Sequence, residues 1–239
     1  MLPNQFYVTG TDTGVGKSVA SAALLHALRA RGRRAIGMKP VASGCEWIDG
    51  GWRNEDARLL QAASEPRPDY DDVNPFALRA PVAPELALRD DGVELALTPI
   101  LAAHARLASQ GDAMVVEGVG GWAAPLSAEL DQLDLVRALR LPVVLVVGLR
   151  LGCINHARLS VRAIQDDGVE LLGWIGRRCL DTCSSRIDPI SGLTSGMGTA
   201  IAVPTKLTGT RNGRGSPHAP HPVGYWNRVR RSAGPGRLW

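Results

Sequence analysis

Residues 8–18, VTGTDTGVGKS, set glycines, a lysine and a hydroxyl in the order that grips a polyphosphate. Glycines let backbone N–H groups approach the anion, the lysine after them reaches the β- and γ-phosphates, and the next hydroxyl can ligate Mg²⁺. Gly16 then provides the close approach, Lys17 the charge and Ser18 the metal ligand, with Thr11, Asp12, Thr13, Gly14 and Val15 completing the loop. The spacing is one residue too long for G-x-x-x-x-G-K-[ST]: the pattern asks for glycine at 11, where Thr11 stands, and the glycine is Gly10.

Magnesium held by a serine hydroxyl and phosphates still needs carboxylate oxygens, because the ion demands near-octahedral oxygen ligation. Two acids are candidates. Glu117 ends the apolar run MVVEGVGGW, so its charge should emerge at a strand's carboxyl end beside Gly118, Gly120 and Gly121. Asp56, in RNEDARLL, stands at a helix start, where capping is an equally simple role. Lys39 in GMKPVASG, close to Ser43, either snorkels to solvent or offsets charge on a transferred phosphoryl group.

These residues need a scaffold that turns a strand into a helix beneath an anion. Apolar runs at 5–10, 35–42, 112–118, 141–148 and 170–175 read as buried strands. Between them, 17–31 has Val19, Ala23, Leu24 and Leu28 on one helical face and a glycine stop at Gly32, and 95–109 and 155–165 read as helices too. The alternation predicts an α/β protein with a three-layer, P-loop NTPase-like fold, its mostly parallel sheet covered by helices on both faces and its ligand at the carboxyl ends of the strands. The Pro- and Asp-rich stretch 44–92 reads as a long insertion, functional or mobile.

Charge divides the chain. Residues 1–176 carry 17 Lys+Arg against 21 Asp+Glu, and 177–239 carry 10 against 2, so the net +4 belongs to the tail. With 9 Gly, 6 Pro and 6 Ser in that tail and no core-forming run after Ile175, two parts are expected: a folded domain over 1–176 and a disordered basic tail over 177–239. Only RVRR, Arg228 to Arg231, clusters its charge, which argues against a nucleic-acid partner. No stretch is long and apolar enough for a membrane span, and the chain enters its first strand without a leader. The cysteines, Cys45, Cys153, Cys179 and Cys183, show no disulfide framework, and Cys179-x3-Cys183 lacks the second ligand pair of a zinc site. A soluble cytoplasmic protein with reduced thiols is the expectation.

Taken together, VTGTDTGVGKS, KPVASG, RNEDA, VNPF, VVEGVGGW, PVVLVVG, LGCINHA and GWI resemble the dethiobiotin synthetase family in order and spacing, over residues 5 to about 176. The loop with the extra residue is characteristic of that family. The resemblance implies a homodimeric, ATP- and Mg²⁺-dependent cyclo-ligase of biotin biosynthesis, which carboxylates 7,8-diaminononanoate with CO₂ through a carbamate and its phosphoric anhydride. It implies catalytic roles for Lys17, Lys39, Thr13 and Ser43, and a metal held by Ser18, Asp56 and Glu117. The nucleotide would lie along residues 11–18 together with Glu117, Gly118, Gly120 and Gly121. Cys153, Ile154 and Asn155 would begin a helix that binds the substrate carboxylate of the other subunit, with capping an ordinary second role for Asn155.

The sequence leaves the family's pattern after GWI. Arg177 stands where the family has an asparagine that reads adenine, and the text that follows is that of a high-GC gene translated out of frame, so a frameshift near codon 176 is expected. A sheet missing its last strand would then have a bare edge. Three rival readings remain: a partitioning or Min-type ATPase, against which Asp12 replaces the expected extra lysine; a cobyrinate-type amidating enzyme, whose glutamine-hydrolysing domain is not in the chain; and a catalytically impaired nucleotide-binding module.

Overall fold

The computed structural model describes residues 4–178 and the backbone of residues 200–202. In chain order the elements are β1 (Gln5–Gly10), α1 (Lys17–Arg29), β2 (Ala35–Met38), β3 (Val41–Ala42), β4 (Glu46–Ile48), β5 (Gly51–Arg53), α2 (Glu55–Ala63), α3 (Tyr70–Val73), β6 (Phe76–Ala77), α4 (Pro84–Asp91), α5 (Leu97–Gln110), β7 (Ala113–Gly121), α6 (Gln132–Leu139), β8 (Val143–Leu149), α7 (Cys153–Asp166), β9 (Leu171–Arg178) and β10 (Ala200–Ala202).

Six of the strands form one sheet in the order β10-β9-β8-β1-β7-β2, parallel except for β10. Both faces are covered, as strands such as VVLVVGL require. Along β1, Phe6 and Val8 face one core with Leu25 of α1 and Leu60 of α2, whereas Tyr7 faces the other with Ile100 of α5, Leu135 of α6 and Ile164 of α7. The expected α/β architecture is the one observed.

Several boundaries differ from the sequence reading. The run 35–42 breaks at Pro40, which has no N–H for a ladder. The Lys39 N–H bonds the Val73 carbonyl at 2.8 Å instead, and β3 pairs with β6 in a separate small sheet. Strand β7 continues past Glu117 to Gly121, paired with β1 from Val8↔Glu117 to Gly10↔Gly121, so Glu117 lies within a strand and not at its end. Helix α1 is rotated from its expected face. Val19 is 48% exposed, whereas the small residues Ala20, Ser21 and Ala22 and, a turn on, Leu25 are buried.

The insertion 44–92 is largely regular. Strands β4 and β5 form a hairpin across Asp49-Gly50, with Trp47 and Trp52 packed edge to face at 5.4 Å. Helix α2 lies against α1 and β2. At the opposite edge, β10 pairs antiparallel with β9 at Ala200↔Gly176 and Ile201↔Ile175, so three residues of a sixth strand stand where a bare edge was expected. The remainder of the tail, including Cys179, Cys183, the RVRR cluster and the expected disorder, lies outside the described residues.

Candidate active site

The loop between β1 and α1 hangs from the middle of the sheet. Its Thr11 N–H donates to the Val146 carbonyl of β8 at 2.9 Å, and the Val15 side chain is 2% exposed in the core, so the chain is pinned on both sides of Gly14. Gly16 caps α1 in the left-handed region at φ 89°, where a side chain would be strained, and it leaves the first helical N–H groups free for an anion. Gly10 has a different reason to lack a side chain. A Cβ there would stand 2.8 Å from Val15 Cγ2 and 3.1 Å from Lys17 Cδ, so the glycine one position early makes room for the lysine's own stem.

Lys17 is 7% exposed and its Nζ donates to the carbonyls of Asp12 at 2.9 Å and Gly120 at 2.8 Å, spanning the mouth of the loop. Burial, with Lys39 nearby, lowers its pKa to about 8 against the pull of Glu117, Asp56 and Asp12. Asp12 accepts the Thr13 N–H at 2.8 Å and pairs with Arg150 at 2.6 Å, tying the loop to the turn before α7.

Beneath the loop, Glu117 is fully buried. Its Oε1 accepts Ser18 Oγ at 2.7 Å and Lys39 Nζ at 2.7 Å, while its Oε2 has no partner among the described residues. Lys39 is buried rather than snorkelling, and its Nζ also reaches Asp56 Oδ2 at 3.3 Å and the Gly118 carbonyl at 3.4 Å. Burial alone would depress the Lys39 ammonium, but Glu117 and then Asp56 overcome it and raise its pKa. Burial likewise opposes ionisation of Asp56, and Lys39, the Ser18 hydroxyl and Lys17 together more than offset it, leaving that carboxyl below its ordinary value. Asp56 is not the cap of α2: Asn54 is, accepting the Ala57 N–H at 3.2 Å.

Lys39 is held by residues whose roles the sequence did not disclose. The Asn54 N–H donates to Tyr70 Oη at 2.7 Å, Tyr70 Oη donates to Asn74 Oδ1 at 3.2 Å, and Asn74 Nδ2 donates to the Lys39 carbonyl at 2.8 Å. Asn54 Nδ2 also donates to the Ser43 carbonyl at 3.1 Å, so one relay sets both Lys39 and Ser43. Asn54 and Asn74 stand inside RNEDA and VNPF, which was their only signal. On the other side, Tyr7 Oη donates to Gln132 Oε1, and the Gln132 amide donates to the Val119 carbonyl. Gly118 is buried under this pair: a Cβ there would stand 2.7 Å from Gln132 Oε1 and collide with Tyr7 Oη.

The two lysines open into one cavity of about 680 Å³, which also takes in Thr13, Ser18, Ser43 and Asp56. Ser43 Oγ is buried there without a partner among the described residues. Gly120 lines the cavity, whereas Val15 faces the core and Gly121 pairs with Gly10. Cys153, Ile154 and Asn155 do not line it. They begin α7 on the surface, where Gly152 and not Asn155 is the N-cap and Ile154 is 73% exposed.

Ser18 Oγ, Asp56 and the free Glu117 oxygen are hard donors that suit a small divalent cation. Among the described residues no group of three His, Cys, Asp or Glu side chains gathers to hold a metal unaided, so phosphate and water oxygens would have to complete its shell.

A central strand, a glycine-bearing anion loop and a lysine at the head of the next helix define a P-loop NTPase-like protein. A family described as an AAA domain matches residues 4–193. The ATP-dependent dethiobiotin synthetase of Xanthomonas euvesicatoria is 66% identical over 188 residues, 79% of this chain and 84% of the relative, and that of Xylella fastidiosa is 62% identical over 188 residues, 79% and 83%. The chain belongs to the family of ATP-dependent dethiobiotin synthetases. Among solved structures, the kinase domain of Escherichia coli tyrosine kinase ETK is similar with a TM-score of 0.46 at 14% identity, over 78% of this chain and 71% of that one.

Proposed function

We propose that this chain uses ATP to carboxylate 7,8-diaminononanoate with CO₂ and to close the product to dethiobiotin, releasing ADP and phosphate, with residues 1–176 as the synthetase domain. One amine nitrogen adds to CO₂ and loses a proton, giving a carbamate. A carbamate oxygen then takes the γ-phosphoryl group as the bond to ADP breaks. The second amine attacks the carbonyl carbon of this mixed anhydride and gives up a proton, and phosphate leaves with the C–O bonding pair. Phosphorylation is what turns a poor leaving oxygen into a good one.

The observation that carries the reading is the convergence of Lys17 and Lys39 on one cavity that Ser18 also lines. Two ammonium groups there can balance charge that grows on the transferred phosphoryl. Thr13 and the free Ser43 hydroxyl, which line the same space, would orient the carbamate. Ser18, Asp56 and Glu117 would hold Mg²⁺, which when bound would draw charge from the phosphates.

The substrate carboxylate would be held by the start of α7 of a second copy. Leu151 is fully exposed and Ile154 largely so beside helix N–H groups without a side-chain cap, which supports a homodimer covering that face. The free thiols of Cys45 and Cys153 agree with a cytoplasmic setting. Among the described residues no helix is long and apolar enough to cross a membrane.

Supplying diaminononanoate, bicarbonate and Mg·ATP and following ADP tests the proposal. ADP release that depends on the diamine supports it. ADP release indifferent to the diamine points to a different ATPase, and none at all to an impaired nucleotide-binding module.

A further inference from the structure

Arg177 stands near the carboxyl end of β9, in register with Gly148 of β8, and its side chain reaches back over the phosphate loop. A Cβ built on Gly16 would stand 2.7 Å from Arg177 Nε and would collide with its Cδ and Nη1. The guanidinium lines the same 680 Å³ cavity as Thr13, Gly14, Lys17 and Ser18. Other cations at this end of the sheet are engaged: Lys17 with two carbonyls, Lys39 with two carboxylates, Arg150 with Asp12. Arg177 is half-buried, and among the described residues no oxygen accepts a hydrogen bond from it.

A planar fork of five donors, always charged and left without an acceptor, suits a phosphate better than any neutral group, because two parallel N–H bonds can meet two oxygens of one phosphate. Its position decides what it meets. The guanidinium lies against Gly16, the N-cap of α1 and one residue from Lys17, which places it beside the helix start that would meet a phosphate chain.

We infer that Arg177 is a phosphate-binding residue of this chain, clamping the nucleotide's phosphates together with Lys17 and so strengthening binding whatever the base. The inference rests on the loop being the nucleotide site. It makes Arg177 a determinant of specificity in a negative sense: more of the affinity comes from the phosphates, and less discrimination is asked of the base.

The test uses the full chain without diamine. Mg·ATP, Mg·GTP and Mg·tripolyphosphate, which has no base, each compete against a fluorescent ADP analogue on the wild type and on Arg177→Gln, Arg177→Lys and Lys17→Ala. Arg177→Gln should weaken all three competitors alike, by about tenfold or more, as expected for losing a hydrogen bond to a charged group. Arg177→Lys, which keeps the charge and loses the fork, should recover part of that loss. Unchanged affinities in Arg177→Gln, or a loss confined to ATP and GTP with tripolyphosphate unaffected, would overturn the inference. If the wild type binds and Lys17→Ala does not, an unaffected Arg177→Gln sinks this inference alone. A wild type that binds none of the three competitors sinks the loop assignment as well.

Discussion

Lys39 Nζ and Glu117 Oε1 lie 2.7 Å apart, with their side chains 5% and 0% exposed. A buried ion pair is costly to desolvate and is kept only where further contacts satisfy both partners. Here Ser18, Asp56 and the Gly118 carbonyl supply those contacts, and Glu117 still has one oxygen to spare. The pair is therefore both a brace between β7 and the residue that follows β2 and a buried set of charges that can exchange partners when an anion arrives.

Removing one member should expose that cost. Glu117→Gln leaves a buried ammonium facing a neutral amide and should destabilise the fold by about 3 kcal/mol or more, read from urea unfolding at pH 7. Because the folded pKa of Lys39 is raised above its ordinary 10.5, the stabilisation by this pair is fully present at neutral pH and is lost only as pH rises through that higher value. The deficit of the variant relative to wild type should accordingly shrink in strongly alkaline solution. A variant as stable as wild type at pH 7 would contradict the pairing.

Lys17→Ala should reduce kcat/KM for ATP at least about a thousandfold while the melting temperature changes by only a few degrees, since the side chain faces ligand and loop carbonyls rather than the core. Near-normal turnover would refute its role.

With its pKa near 8 in the free protein, about half of Lys17 is neutral at pH 8. Phosphates favour the charged form and raise that pKa, so Mg·ATP binding at pH 8 to 8.5 should take up about half a proton or more, and at pH 6.5 almost none. Calorimetry in buffers of different ionisation enthalpy measures the uptake, and Lys17→Arg should abolish it. Proton release on binding would have the wrong sign.

Asn54→Ala removes the cap of α2 and the tie to Ser43 together. It should cost about 1–2 kcal/mol of stability and lower kcat more than a remote cap mutation of equal cost, such as Asp131→Ala at α6. Equal kcat in the two variants would reduce Asn54 to a cap.

Gly118→Ala tests packing alone. A methyl group there meets Tyr7 Oη and Gln132 Oε1, and Tyr7 is kept protonated by burial and by the charge of Glu117, so the contact cannot relax by ionising. The variant should lose about 1–3 kcal/mol. A wild-type melting temperature would show that the Tyr7–Gln132 bridge yields.

What the sequence disclosed follows from how far each contact reaches. The loop was legible because its work is done by neighbours: glycines, Lys17 and Ser18 act within a few residues of one another. Lys39 and Glu117 could be nominated as charges closing apolar runs and Asp56 as an acid at a helix start, although only the fold brings the two carboxylates onto Lys39. The Asn54–Tyr70–Asn74 relay was hidden, since Asn54 meets Tyr70 sixteen residues on and Asn74 meets Lys39 thirty-five residues back, through residue types that carry no signal of their own. The face of α1 was misread because its buried side holds the small residues Ala20, Ser21 and Ala22, which a pattern of larger apolar residues passes over. The break at Pro40 was written in the sequence, and the missing ladder N–H of proline was reason enough to end β2 there.

Strand β1 lies between β7 and β8, with parallel partners along both of its sides. The hinge point of the phosphate grip is thereby insulated from the sheet's periphery, and injury at the β9–β10 margin should reach β1 only after the intervening β8 has let go. Amide exchange would show this as an order of events, the outermost ladder opening first and the β1 amides last, so that a molecule already failing at its rim would keep the loop's hold on the anion while losing that of Arg177.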